Sequence, residues 1–512
     1  MNIEPIPQDR MTFDEMEDIV REAASIATGE TLQPVPTPPE CSPAEYADDA
    51  LALKFTELHG DDLRFTAAWG RWNVWTGSVW RQDETLRVFD LVRKICRAES
   101  SACKTGRVSE RIASAKTVYA VERLARADRC HAATVDQWDA DPWLLNTTGG
   151  VVDLRTGKLR PAMRDDYLTK ITTVAPGGDC LLWQSFLSRI TDGNEELQRF
   201  LQRMCGYALT GVTSEHALFF LYGTGGNGKS TFLDTISGLM GDYAKPAPIE
   251  TFIDSKNERH PTDLAGLQGA RLVTAFETEE GRRWAESKLK QLTGGDPIAA
   301  RFMRQDFFKF VPQFKLAIAG NHKPGLRTVD EAIRRRFNLL PFTVTVPASE
   351  RDLEFKDKLR KEWGGILQWM IEGCLAWQAK GLHRPTVVSE ATESYLSAED
   401  ALARWIEDRC ELQAAHWTPG AALFDDWCQW AVANGEFVGS QKRFSQNLES
   451  RGFTSKPTRT ARGFLGIGLV TDVTGTAVIP VTRTPARVGL NGDNLSHPSL
   501  DGKSEDGSAA LK

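Results

Sequence analysis

The stretch ALFFLYGTGGNGKSTFLDTISGLM, residues 217–240, decides how the rest of the chain is read. Its first part, Ala217-Leu218-Phe219-Phe220-Leu221-Tyr222, is a short apolar run of the kind that forms a buried strand. Next, Gly223-Thr224-Gly225-Gly226-Asn227-Gly228-Lys229-Ser230 fits G-x-x-x-x-G-K-[ST] in full. From Thr231 to Met240, Phe232, Leu233, Ile236, Leu239 and Met240 share one helical face. Strand, glycine loop and helix start is the arrangement in which free backbone N–H groups and the helix dipole meet a phosphate chain. The glycines let the backbone curl without Cβ clashes, Lys229 reaches β- and γ-phosphates, and the Ser230 hydroxyl ligates Mg²⁺. Residues 223–231 are therefore expected to bind ATP with Mg²⁺.

Working outward, residues 206–345 alternate apolar runs with helical ones, the order of a mostly parallel sheet under helices. The run Arg271-Leu272-Val273-Thr274-Ala275-Phe276 ends in Glu277-Thr278-Glu279-Glu280, three carboxylates within four residues. Like charges packed this closely repel unless a cation sits among them, which favours a metal-nucleotide role. Glu277, which closes the strand, is the first candidate for Mg²⁺ and for polarising water, and Glu279 the second. A third apolar run, Phe314 to Gly320, ends in Asn321-His322-Lys323-Pro324. Asn321 stands where ligands bind at strand ends, to orient the lytic water or else only to shape the turn before Pro324. Thr328-Val329-Asp330-Glu331 has capping-box spacing and opens a short helix, Asp330 to Phe337, carrying Arg334, Arg335 and Arg336. Consecutive arginines point in different directions, so one or two can reach a neighbouring triphosphate while the rest bind carboxylates or face solvent.

Glycine loop, acidic strand end, Asn strand end and arginine helix all fall within Gly223 to Arg336. That compactness resembles the superfamily 3 helicases of viruses, phages and plasmids, a branch of the AAA+ P-loop ATPases. The segments Glu277-Thr278-Glu279-Glu280-Gly281, Leu292-Thr293-Gly294-Gly295-Asp296-Pro297 and Gly320-Asn321-His322-Lys323-Pro324 resemble the phage/plasmid primase-helicase family related to the poxvirus primase-helicase. The resemblance spans about residues 46–480 and implies an α/β fold: an AAA+ core behind an α+β helicase-associated domain and ahead of a winged-helix-like module. It also implies a ring, usually a hexamer, with ATP at subunit interfaces and single-stranded DNA in the pore, moving 3′ to 5′. On it, Gly223 to Ser230 match Walker A, Glu277 with Glu279 match Walker B, and Asn321 takes the sensor position. Arg336, followed by Phe337, stands where the superfamily has its arginine finger, with Arg335 adjacent. A pore hairpin would fall on residues 298–309, with Arg301, Arg304 and Lys309 as phosphate contacts, unless Phe307 and Phe308 instead place it in a subunit interface.

The flanks complete the division of the chain. Residues 1–45 are acidic and then Pro-rich, an unfolded tail too short for a polymerase-like primase domain. Residues 46–205 are expected to be the N-terminal domain, 206–345 the ATPase core, 346–408 a helical extension, 409–482 the C-terminal module and 483–512 a disordered tail. Trp69, Trp72, Trp75 and Trp80 surround a Thr76-Gly77-Ser78 turn, as a packed face in the first reading and a base-stacking platform in the second. Between Ser440 and Arg462 six basic residues, Lys442, Arg443, Arg451, Lys456, Arg459 and Arg462, face Glu449 alone. A helix over 440–451 followed by a basic wing would place Lys442, Arg443, Lys456, Arg459 and Arg462 on DNA.

Composition limits the alternatives. Across 512 residues, 62 Lys+Arg against 69 Asp+Glu give −7, which excludes a protein that coats nucleic acid by overall charge. The nine cysteines form no C-x-x-C pair, which argues against a zinc site or disulfide framework. With no apolar run near ~18 residues and no signal-peptide pattern, a soluble protein of the bacterial cytoplasm, encoded by a phage or prophage and without membrane contact, is expected. The function expected is an ATP-dependent replicative DNA helicase working as a homo-oligomer, with a separate primase or other replication proteins as further partners. An ATP-dependent DNA-binding switch or origin-binding initiator is the alternative, and a P-loop kinase a weaker third.

Overall fold

In the computed structural model, which describes residues 44–254, 262–276, 281–303, 306–459 and 461–470, the chain opens with α1 (Asp48–His59). An antiparallel sheet follows, of β1 (Leu63–Thr66), β2 (Arg71–Trp75) and β3 (Trp80–Gln82). Gly77, at φ +99°, closes the turn that sets Trp75 opposite Trp80. Against the sheet pack α2 (Arg87–Ala102), α3 (Gly106–Ile112) and α4 (Ala115–Ala125), with Phe55, Trp72, Val92 and Val121 in the shared core. Trp80 is fully buried, and the buried Trp72 donates its indole N–H to Glu122. The tryptophan cluster is thus a packed face, with Trp69 alone of the four exposed. A second antiparallel sheet, β4 (Leu144–Thr147), β5 (Gly150–Asp153) and β6 (Lys158–Arg160), leads into α5 (Leu181–Ile190) and α6 (Glu195–Leu209).

Next in the chain come β7 (Leu218–Tyr222), α7 (Lys229–Met240), β8 (Ala244–Pro246), α8 (Thr262–Ala265), β9 (Leu272–Phe276) and α9 (Glu286–Gly294). The hairpin β10 (Ile298–Ala300) and β11 (Phe308–Phe310) precedes β12 (Lys315–Gly320), α10 (Glu331–Arg336) and β13 (Phe337–Pro341). Five strands make one parallel sheet in the order β13-β7-β12-β9-β8. Alternate residues feed opposite faces, since strand side chains have a period of two. Phe219, Leu221, Ala317 and Leu340 meet α6, α7 and α12 (Trp363–Lys380) on one face, while Leu218, Phe220, Ile318 and Leu339 join a second core with α9 and α13 (Thr386–Glu399). Before α12 comes the short α11 (Phe355–Lys361). α6 and α12 approach so closely that a Cβ at Gly206 would lie 2.0 Å from the Cys374 backbone nitrogen.

Two buried basic side chains tie the sheet to α6 and to β4. Arg271 donates to the Leu209 and Leu144 carbonyls at 2.7 and 2.8 Å, and its guanidinium lies over the Tyr243 ring. Lys315 donates to Thr210, backbone and hydroxyl, and sits 4.4 Å above the Tyr207 ring. Burial pushes the Lys315 amine well below its ordinary pKa.

The C-terminal part has its own core of Trp405, Leu423, Trp427, Phe444, Leu448 and Phe464. It comprises α14 (Ala401–Arg409), β14 (Cys410–Glu411), β15 (Trp417–Pro419), α15 (Gly420–Ala433), α16 (Gln441–Ser450), β16 (Thr454–Pro457), β17 (Arg462–Leu465) and β18 (Gly468–Leu469). Ser440 caps α16, whose Phe444 and Leu448 turn inward, and β16 returns antiparallel on β17. Among the described residues no helix is long and apolar enough to cross a membrane.

Candidate functional site: the glycine-loop cleft

The loop 223–228 links the carboxyl end of β7 to the start of α7 and is braced from behind by the chain leaving β13. A Cβ at Gly223 would lie 1.9 Å from Asn227 Nδ2 and 2.2 Å from the Phe342 carbonyl oxygen, so only glycine fits there. Buried Asn227 donates through Nδ2 to Phe342 O at 2.8 Å, and Val346 N donates to Gly226 O at 2.8 Å. Beside the loop opens a cleft of about 480 Å³, bounded by residues 225–231, Asp234, Phe276 at the end of β9, and Gly320 with Asn321 at the end of β12. Thr224 and Ser230 are exposed, and Ser230 and Thr231 both line this cleft.

Lys229 is 6% exposed, and its Nζ donates to Gly223 O at 2.6 Å, Asn227 Oδ1 at 2.9 Å and Asn321 Oδ1 at 3.1 Å. Burial lowers its pKa. Three neutral oxygens hold this amine at the cleft, and among the described residues no carboxylate pairs with it. The donor set suits a triphosphate: loop N–H groups, a buried lysine and an adjacent hydroxyl. Because Asn321 bonds Lys229 across the cleft, it does more than shape the turn before Pro324. Glu277 and Glu279 lie outside the described residues; the strand that carries them ends in the cleft wall at Phe276.

The arginine helix differs from expectation. Asp330, and not Thr328, caps α10, its side chain accepting from Ile333 N at 2.9 Å. Arg336 is turned into its own chain, where Nε donates to Thr293 Oγ1 at 3.1 Å and Nη1 to Ala332 O at 2.9 Å. At 8% exposure it is not offered to a neighbour, and burial with Arg335 beside it lowers its pKa. Arg334 pairs with Glu393 at 2.7 Å and lies 3.6 Å from buried Asp400. Arg335 is exposed, and its backbone carbonyl accepts from Arg384.

The β10–β11 hairpin forms, pairing Ile298 with Phe310 and Ala300 with Phe308. Phe302 and Phe307 are exposed, the Arg301 guanidinium lies 4.7 Å from the Phe307 ring centre, and Lys309 faces solvent. Arg304 lies outside the described residues.

The C-terminal basic set divides in two. Lys442 and Arg462 line an open groove of about 530 Å³ between α16, the start of α15 and the β16–β17 return, with Gln446 and Ser455, and Lys456 and Arg459 are exposed. Arg443, expected on DNA, is instead turned toward the parallel-sheet domain, donating to Thr328 Oγ1. Arg451 donates to Asp400, the 4% exposed residue that caps α14 within the C-terminal part itself. Charge counting alone cannot tell a helix's outward cations from those that grip a neighbouring domain.

Three contacts to the loop and α7 carry no sequence signature: the Asn227 strut to Phe342, the Lys356–Asp234 pair at 2.6 Å, and Arg351, whose guanidinium lies against Gly226. They come from the segment after β13, where no motif marks contact with a loop more than a hundred residues earlier.

Residues 52–192 match the family model described as D5 N terminal like, and residues 221–336 match a family of unknown function (DUF5906). The chain is similar to Putative helicase L207/L206 of Acanthamoeba polyphaga mimivirus, 24% identical over 295 residues that cover 53% of this chain and 31% of that protein. It is similar to Putative helicase 184R of Invertebrate iridescent virus 6, 24% identical over 319 residues that cover 54% and 33%. These matches support a place in the phage and viral primase-helicase family. The D5 N terminal like match puts a helicase-associated domain ahead of the parallel sheet. The chain spans about a third of the length of these relatives. Two solved structures of the NrS-1 C terminal region align over 81% and 82% of this chain and 99% of their own chains, at 10% and 11% identity. Their TM-scores of 0.44 and 0.47 are too low to bear on the fold.

Proposed function

We propose that the chain is an ATP-dependent DNA helicase motor. The observation that carries this reading is the cleft in which Lys229, at the loop between β7 and α7, meets Asn321 at the end of β12 at 3.1 Å. A lysine at the phosphate loop and a carboxamide at the neighbouring strand end are what hydrolysis of a γ-phosphate needs: charge on the phosphates and a group to align water. Glu277, directly after the strand that ends in the cleft wall, would supply the carboxylate for Mg²⁺, with Ser230, and Glu279 stands beside it. The sheet order β13-β7-β12-β9-β8 with the loop after β7 supports an AAA+ P-loop core of superfamily 3 type.

Arg335, the exposed member of the arginine helix, is the group free to reach a triphosphate held by the next subunit of a homo-oligomeric ring, here read as a hexamer. The hairpin would touch single-stranded DNA through Arg301, Arg304 and Lys309, and the C-terminal module, read as a winged helix, would add Lys442, Lys456, Arg459 and Arg462. By family, translocation runs 3′ to 5′ in DNA replication. Similarity to the viral proteins Putative helicase L207/L206 and Putative helicase 184R supports the same reading. A strand-displacement assay tests it, with Lys229→Ala as control. Displacement that requires ATP and Lys229 supports a motor. ATP hydrolysis and DNA binding without displacement would leave a DNA-binding switch or initiator.

A further inference from the structure

Beyond β13 the chain runs back past the glycine loop as a strap, anchored at two residues that line the cleft, Gly226 and Asp234. At one end Val346 N donates to Gly226 O at 2.8 Å. At the other, Lys356 pairs with Asp234 of α7 at 2.6 Å, and Phe355 packs on Phe186, ring centres 5.5 Å apart. Between these anchors lies Arg351. Its Nε donates to Val346 O at 3.1 Å, which turns the guanidinium onto the loop: a Cβ at Gly226 would lie 2.4 Å from Arg351 Nη2.

The neighbouring acids are taken by other cations, Glu350 by Arg189 at 3.0 Å and Asp352 by Lys358. Arg351 has no ion pair among the described residues, and its two terminal nitrogens keep their donors. A guanidinium fixed through Nε and open at Nη1 and Nη2 presents the planar fork that fits two phosphate oxygens. A surface arginine held only for stability would be expected to take one of the carboxylates on either side of it in sequence.

We infer that Arg351 is a further phosphate-binding residue, which closes on the polyphosphate of the bound nucleotide from the same subunit. This rests on the reading of the cleft as a nucleotide site and adds a cation that no motif marks. It gives the strap a role: nucleotide phosphates would bridge Arg351 and Lys229 across the loop, so the strap is drawn down when the site fills.

The test is the affinity of the full chain for a fluorescent ATP analogue, competed by ATP and by inorganic tripolyphosphate, for wild type, Arg351→Ala, Arg351→Lys and, as a control on the same strap, Lys358→Ala. Arg351→Ala should weaken ATP and tripolyphosphate by the same factor, about tenfold, the usual loss of a charge-assisted hydrogen bond. Arg351→Lys should recover part of the loss, since a point charge remains without the fork, and Lys358→Ala should match wild type. Wild-type affinity for both competitors in Arg351→Ala would overturn the assignment, as would loss for ATP with tripolyphosphate unchanged, because the contact would then be to the nucleoside. Failure of the wild type itself to bind either competitor would overturn the nucleotide reading of the cleft, a separate failure that takes this one with it.

Discussion

Lys229 Nζ and Asn321 Oδ1 stand 3.1 Å apart across the mouth of the cleft, the first from the helix after β7 and the second from the end of β12. These strands are hydrogen-bonded neighbours in register, Tyr222 opposite Gly320, so the parallel sheet itself sets that distance. A nucleotide that draws Lys229 onto its phosphates frees the Asn321 carboxamide to face the γ-phosphate. Asn321→Ala is therefore expected to keep ATP affinity within about threefold while lowering kcat about a hundredfold, the scale seen when one positioned polar group is removed from a reacting centre. Lys229→Ala should lose ATP affinity as well. Steady-state ATPase kinetics beside equilibrium nucleotide binding separate the two.

The arginine helix gives opposite expectations for adjacent residues. Arg336→Ala removes two hydrogen bonds and leaves Thr293 Oγ1 without its guanidinium donor in a buried setting, so it should lower stability by about 2 kcal/mol. Arg335→Ala touches an exposed side chain and should leave the melting temperature unchanged while abolishing turnover in the assembled state. Thermal melts and ATPase rates on both variants check this; equal melting temperatures for the two would contradict the inward placement of Arg336.

Lys315 makes a pH-dependent contribution whose sign is set by burial. Its folded pKa lies well below the ordinary 10.5, so between those two values the unfolded chain holds the extra proton and stability rises with pH. Below the folded value both states are charged and the penalty is constant; above 10.5 both are neutral and it has vanished. Lys315→Met has no such dependence. Denaturant titrations from pH 7 to 10 should show wild type gaining on the variant by up to about 1.4 kcal/mol for each pH unit above the folded pKa. A constant difference across that range would mean that Lys315 stays charged in the folded chain.

Much of the site could be read from the chain because its chemistry is local. The glycine loop needs a strand before it and a helix after it, and residues 217–240 carry all three in order, as do the runs that end at Phe276 and at Asn321. The turn at Gly77 and the helix over residues 440–451 were equally legible from turn residues and periodicity. Side-chain direction at a helix end was not. Arg334, Arg335 and Arg336 are identical letters, and which of them is buried depends on Thr293, Glu393 and Asp400, all far away in sequence. Arg443 looks like its basic neighbours until the domain it grips is in place, Arg451 until the Asp400 cap is in place, and the strap bearing Arg351 has no pattern of its own.

That division of the C-terminal cations separates binding from docking. Lys442→Glu with Arg462→Glu should weaken DNA binding on every sequence and flatten its salt dependence, by about 0.9 in log–log slope for each duplex phosphate that is no longer neutralised. Arg443→Ala should leave the slope unchanged, since its guanidinium serves Thr328. DNA affinity across a salt series distinguishes them, and a flattened slope for Arg443→Ala would place that side chain on DNA.

The helicase reading stands most directly on ATPase rate with and without single-stranded DNA, measured alongside particle mass with and without nucleotide, for wild type and Arg335→Ala. A ring-sized particle with DNA-stimulated turnover, and loss of that turnover but not of nucleotide binding in Arg335→Ala, is the expected result. A monomer whose hydrolysis ignores both DNA and Arg335 would contradict the helicase reading and leave only the nucleotide cleft standing.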